Sequence, residues 1–226
     1  MDVSDQIKHI RATLPQSVAL VAVSKFHPVE TIMEAYGAGQ RIFGENRIQE
    51  LAAKQPMLPG DIEWHFIGTL QTNKVKYIVP FIHTIQSIDS RNLLEKVEKE
   101  AARCNRHIRV LLEVHIAQET TKHGFSADEC RTIVRETQWA TAYPHLILAG
   151  LMGMATFTDD KQQVRREFQS LRTLFDELKT TGAVGDSFAE LSMGMTDDYH
   201  LAIEEGSTMV RIGTAIFGKR NYKTIH

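Results

Sequence analysis

Residues 18–28 read VALVAVSKFHP, six apolar residues in unbroken succession that hand over to a serine and a lysine. A run with no polar alternation describes a strand covered on both faces, which is the habit of a parallel sheet sandwiched by helices. Such a strand needs a crossover before its parallel neighbour, and VETIMEAYGAG supplies one, its apolar residues falling three and four apart. The same alternation then runs through the chain. Further β-rich runs stand at 41–45 (RIFGE), 62–68 (IEWHFIG), 82–89 (IHTIQSID), 108–116 (IRVLLEVHI), 145–154 (HLILAGLMGM), 188–193 (FAELSM) and 208–213 (TMVRIG). Between them lie IQELAAKQ, RNLLEKVEKEAARC, ADECRTIVRETQWA and KQQVRREFQSLRTLFDELKTTG, all with helical periodicity. Pro28 suits a first helical turn, Ser90 and Ser126 suit N-caps, and Gly37 and Gly182 suit helix C-termini.

Strict βα alternation allows either a doubly wound open sheet or a closed barrel. Eight strands favour a single TIM (β/α)8 barrel of the α/β class. Little chain follows the eighth strand, and the opening segment SDQIKHIRATL reads as an extra N-terminal helix able to fill that gap. With no linker or low-complexity tract, residues 1–226 are expected to form one domain.

Composition narrows the functional classes. A chain of 226 residues with 42% hydrophobic residues can bury a large core, and a net charge of -2 without a basic run argues against a nucleic-acid surface. No apolar segment reaches the roughly 18 residues of a membrane helix, and MDVSDQIKH lacks the apolar core of a signal peptide. A cytoplasmic location follows as an expectation. Cys104 and Cys130 have no partner at disulfide or metal-ligand spacing, so both are expected to be reduced and structural, with no metal site. No heptad seam is present, and a monomer or weak dimer is the default.

In a parallel barrel the functional groups stand at the C-terminal strand ends. That rule selects Lys25, Glu45, Asn46, His65, Thr69, His115, Met152, Ser192, Arg211, Gly213 and Thr214. Each also has a plain structural reading: a lysine ending a strand is commonly a solvated cap, a histidine beside Trp64 a core histidine, and a methionine packing. The segment LSMGMTDDYHLAIEEGSTMVRIGTAIFG at 191–218 shifts the balance. Thr196 reads as the cap of a helix whose free amides suit a phosphate, with Asp197 and Asp198 answering the helix dipole. Gly213 lets the backbone approach an anion closely. The loops after strands seven and eight are the usual phosphate site of this fold, and barrel closure makes strand one the neighbour of strand eight. Lys25, Arg211 and a phosphate cradle therefore converge. A phosphate-bearing aldehyde that condenses with lysine is pyridoxal 5′-phosphate, PLP.

Six blocks in order now carry a resemblance: AVSKFHP, FGENRIQE, WHFIGTLQTNK, TKHGF, GLMGMATF and the 191–218 segment. Together they resemble the YggS/PROSC family of PLP-binding (PLP homeostasis) proteins, which is similar to the N-terminal barrel of alanine racemase, the fold-type III group. The resemblance implies PLP held covalently as a Schiff base at Lys25 and Arg211 near the pyridine nitrogen. It implies the amides of Gly213 and Thr214 and the hydroxyls of Ser192 and Thr196 around the phosphate, with Asn46, His65 and Met152 beside the cofactor. The sequence departs from the family pattern at Thr69 (His or Pro common), His115 (Asn common) and Thr196 (Ser common), and no role is carried onto Thr69 or His115.

An arginine facing the ring nitrogen disfavours its protonation and weakens the ring as an electron sink. The racemases add a second base, a tyrosine from a further domain, whereas this sequence stops at YKTIH with no obvious replacement. The family is regarded as non-enzymatic, so the expectation is a PLP holder in vitamin B6 and amino-acid homeostasis, with PLP-dependent apoenzymes as acceptors and no catalytic residues. Two alternatives stand beside it: a PLP-dependent racemase or amino-acid lyase, and a barrel enzyme whose Lys25 condenses with a sugar phosphate.

Overall fold

The computed structural model describes residues 2–118, 124–136 and 138–218. Most of the TKHGF block and all of YKTIH lie outside the described residues. Eight parallel strands close into a barrel in sequence order: β1 (Ala19–Val23), β2 (Ile42–Glu45), β3 (Glu63–Phe66), β4 (Thr84–Ile88), β5 (Ile108–Val114), β6 (Leu146–Gly153), β7 (Glu190–Ser192) and β8 (Met209–Ile212). Closure is made by β1 on β8, with Ala19 opposite Met209 and Val21 opposite Arg211.

The helices are α1 (Val3–Thr13), α2 (Val29–Gly37), α3 (Ile48–Lys54), α4 (Arg91–Arg103), α5 (Ala127–Glu136), α6 (Trp139–Ala142), α7 (Lys161–Thr180), α8 (Tyr199–Glu204) and α9 (Thr214–Phe217). The extra helix α1 rests on α2 and the single turn α9, filling the gap the short last helix leaves. One crossover departs from the repeat. Between β3 and β4 the chain forms only the 3-10 helix Thr72–Tyr77, which buries Val75, with Ile78, Val79 and Ile82 buried just beyond it. Pro80 bars a longer helix there.

Ser90 caps α4 by accepting from the Leu93 amide, and Ser126 caps α5 reciprocally with Glu129. Gly182 (φ +69) follows α7 as expected, but the left-handed residue after α2 is Gly39, not Gly37, and Pro28 is the N-cap residue rather than a first-turn residue. Gly150 sits at a bulge in β6, where an added Cβ would stand 1.7 Å from Glu190 O, so only glycine fits. No helix among the described residues is long and apolar enough to cross a membrane.

The main apolar core lies between the barrel wall and the helices. The lumen is different: Gln86 of β4 hydrogen-bonds both His65 of β3 and Ser192 of β7, a contact between non-adjacent strands that only inward-facing side chains can make. A polar lumen must satisfy its own hydrogen bonds, and that requirement shapes the site above it.

Candidate functional site

Lys25 follows β1 in a loop that is tightly constrained. Phe26 adopts φ +67, a left-handed conformation that bulky residues rarely take. Its amide donates to Glu50 Oε1 at 2.5 Å, and the Arg47 guanidinium lies 4.6 Å from its ring centroid. Beneath the loop is a buried ionic cluster. Lys54 Nζ donates to Ser24 O (3.0 Å), Glu45 Oε1 (2.8 Å) and Glu50 Oε1 (2.6 Å), while Ser24 Oγ donates to Glu45 Oε1 at 2.7 Å. Burial pushes the Glu45 carboxyl up to about 6, against the pull of Lys54. The cluster ties the loop carrying Lys25 to the one carrying Asn46 and Arg47. Glu45, a strand-end candidate, therefore serves outside the lumen.

At the C-terminal mouth an open pocket of about 590 Å³ brings together Lys25, Asn46, Thr196, Arg211, Gly213 and Thr214, with Thr69, Arg47, Glu113 and Asp197 also on its wall. Asn46 is held by Gly68, where any Cβ would stand 2.4 Å from Asn46 O. Its Oδ1 is buried without a hydrogen-bond partner. At Gly213 an added Cβ would meet Val23 O at 3.1 Å, so β8 can end hard against β1. The first-turn amides of α9 follow, with no side chain capping them.

Arg211 is buried at the floor of the pocket. It donates to Ser192 O (2.9 Å), Ser192 Oγ (2.6 Å) and Gly153 O (3.0 Å). Burial lowers its pKa to about 10, opposed by Asp198 and Glu113, so the guanidinium stays charged at neutral pH. These bonds use three of the five N–H donors of a guanidinium.

His65, Met152 and Ser192 are not on the pocket wall. All three are buried below it, Met152 in a small apolar cluster with Leu111 and Ala149. His115 lies off the wall too, its amide donating to Phe125 O. Thr196 lines the pocket but does not cap a helix. Asp198 Oδ1 accepts from the Met195 amide at 2.6 Å, closing a turn that delays α8 to Tyr199 and leaves Thr196 in the loop.

Burial pushes the His65 imidazole down to about 3, helped by His83 and Arg109. A base whose folded pKa lies below its unfolded value near 6.5 stabilises the fold above pH 6.5, and that contribution is lost as pH falls. Glu45 opposes it, because a raised carboxyl stabilises below 4.5 and loses that effect as pH rises through about 6. In denaturant titrations, the stability of His65→Gln relative to the unaltered protein should therefore rise by about 1.4 kcal/mol for each pH unit from roughly 6 down to about 3. A pH-independent difference would contradict a buried neutral His65.

At the other end of the barrel Glu63, His65 and His83 bring ligand atoms within 4.8 Å of one another. His65 Nδ1 accepts from the Gln86 amide nitrogen, so its proton sits on Nε2 and blocks that lone pair from a metal. Burial pushes the Cys130 thiol up to about 12, so it stays unionised.

Sequence reasoning missed Lys54, Glu50 and Gln86. A Glu and a Lys four apart in IQELAAKQ look like a solvated pair, and nothing local marks them as buried.

Comparison with known proteins agrees with this fold. The family model for the alanine racemase N-terminal domain matches residues 2–221. The pyridoxal phosphate homeostasis protein of Aquifex aeolicus is 41% identical over 204 residues, 90% of this chain and 87% of that one. The solved structure of PipY from Synechococcus elongatus, described with PLP bound, superposes with TM-score 0.86 at 35% identity, covering 96% of this chain and 100% of that one. Alanine racemase from Streptomyces lavendulae shares the fold, with TM-score 0.80 at 16% identity over 96% of this chain and 56% of that one. The chain thus belongs to the YggS/PROSC family of pyridoxal phosphate homeostasis proteins, built on the alanine racemase N-terminal fold.

Proposed function

We propose that this chain binds PLP and holds it as a reversible Schiff base on Lys25, serving vitamin B6 homeostasis without turnover. The observation that carries the reading is the convergence, in one pocket, of Lys25, buried Arg211 and the uncapped first turn of α9. The pocket's size suits a cofactor-sized ligand, and the orphaned Asn46 Oδ1 offers an acceptor to a ligand donor. The PipY relative is described with PLP bound.

In this reading Lys25 would be the residue that holds the cofactor covalently, its amine being the wall group able to condense reversibly with an aldehyde. The amides of Gly213 and Thr214 and the Thr196 hydroxyl would hold the phosphate, and Asn46 would lie beside the ring. Arg211 would face the ring nitrogen and, staying charged, disfavour its protonation, which would limit the electron-sink chemistry that PLP supplies when bound. Ser192 and Met152 would lie beneath the pocket rather than make first contacts, and His65 lies deeper still in the lumen, beyond Gln86. Among the described residues the other ionisable side chains on the wall are Arg47, Glu113 and Asp197, with no histidine, tyrosine or cysteine there to act as a second base. The protein would act as one barrel domain in the cytoplasm, with PLP-dependent apoenzymes as acceptors.

Equilibrium dialysis should show one PLP per chain, and failure to take up PLP would remove the reading. Incubating the loaded protein with L-amino acids in heavy water should leave the α-hydrogen unexchanged. Exchange at a catalytic rate would favour the racemase or lyase alternative.

A further inference from the structure

Below the pocket a line of hydrogen bonds crosses the lumen from β8 to β3. Arg211 Nη1 donates to Ser192 Oγ at 2.6 Å. Ser192 Oγ donates to Gln86 Oε1 at 2.7 Å. Gln86 Nε2 meets His65 Nδ1 at 2.8 Å and Met209 Sδ at 3.2 Å. The polarity of this line is dictated from one end. A guanidinium only donates, so the Ser192 oxygen accepts and its single proton passes on to Gln86. The Gln86 carbonyl is thereby turned to Ser192, its amide to His65 and the Met209 sulfur, and the His65 proton is left on Nε2. Gln86 is fully buried and reaches none of the pocket wall.

We propose that Gln86 is a positioning residue for the ligand's ring. By accepting the Ser192 proton it keeps the Ser192 lone pairs on Arg211, holding the guanidinium in place and stabilising its buried charge. The inference rests on the reading of the pocket as a PLP site with Arg211 at the ring nitrogen. Without the Gln86 carbonyl, Ser192 Oγ is free to turn its proton elsewhere, and Arg211 loses a hydrogen bond aligned for a charged donor.

The test uses the full chain loaded with PLP and reads two quantities, the dissociation constant and the absorption spectrum of the bound cofactor as a function of pH. Gln86→Met, which removes both the acceptor and the donor, should weaken PLP binding roughly tenfold and shift the pH midpoint of the bound cofactor's spectrum. Gln86→Glu keeps an acceptor facing Ser192 and should bind within about threefold of the unaltered protein. In an Arg211→Lys background, Gln86→Met should cause no further change in affinity or spectrum, because the effect runs through the guanidinium. Should Gln86→Met not fold, Ser192→Ala cuts the same line and should weaken binding and shift the midpoint likewise. An unchanged spectrum and affinity in the folded variant, or an effect that persists in full beside Arg211→Lys, overturns the positioning role. If the unaltered protein takes up no PLP, the PLP reading itself fails. Uptake by the unaltered protein with indifference to Gln86 sinks this inference alone.

Discussion

Changing Lys25 to alanine is expected to abolish all covalent attachment of PLP while leaving the fold intact. Lys25 sits at the barrel mouth, half-buried, after the strand has ended, so its truncation opens no core cavity and should leave the barrel folded. The rest of the pocket remains in the variant: Arg211, Asn46, and the backbone of Gly213 and Thr214. Weak, noncovalent PLP uptake should therefore survive, with the spectrum of the free aldehyde in place of that of a Schiff base. Lys25→Arg separates charge from chemistry. It keeps a cation at the position but lacks a condensing amine, and should behave as the alanine variant does.

The largest effect on stability should come from Lys54→Met, at a residue that touches no ligand in this reading. Lys54 is buried, as is Glu45, and the pair is surrounded by Ser24 and Glu50. Methionine matches the aliphatic stem but leaves Glu45 and Glu50 facing each other without a cation. Removing one partner of a buried pair costs about 3–5 kcal/mol, a large share of the roughly 5–15 kcal/mol that holds a domain folded. The Glu45 carboxyl, already raised to about 6, should rise further in the variant. A raised carboxyl stabilises below its unfolded value of 4.5 and loses that effect as pH climbs through its folded value, so the variant should resist urea better at pH 5 than at pH 8. Adding Glu45→Gln should recover part of the loss. A Lys54→Met protein as stable as the original would show the cluster to be solvated.

Much of the fold was legible because parallel strands buried on both faces are uniformly apolar, and because eight of them alternate with helical patterns. The exception between β3 and β4 was hidden by a segment whose apolar residues are needed on the barrel wall whichever helix type carries them. The site was legible where position along a strand decides it. Lys25, Asn46, Arg211, Gly213 and Thr214 are at strand ends and reach the mouth. His65 is the third residue of a four-residue strand, and its depth depends on strand tilt and register, which no local pattern reports. Thr196 stays in the loop because the Asp198 carboxylate, two residues later, closes a turn back onto Met195 and the helix starts after it, a choice that only the geometry selects. Gln86 and Lys54 acquire their meaning from partners on other elements, and a sequence read locally shows neither.

Borohydride reduction of the PLP-loaded protein, followed by mass measurement of its peptides, tests the assignment of Lys25 most directly. The proposal predicts loss of the Schiff-base absorption band on reduction and a pyridoxyl group on the peptide carrying Lys25, with both absent in Lys25→Ala. A pyridoxyl group on another lysine, or a band that persists in Lys25→Ala, would contradict it.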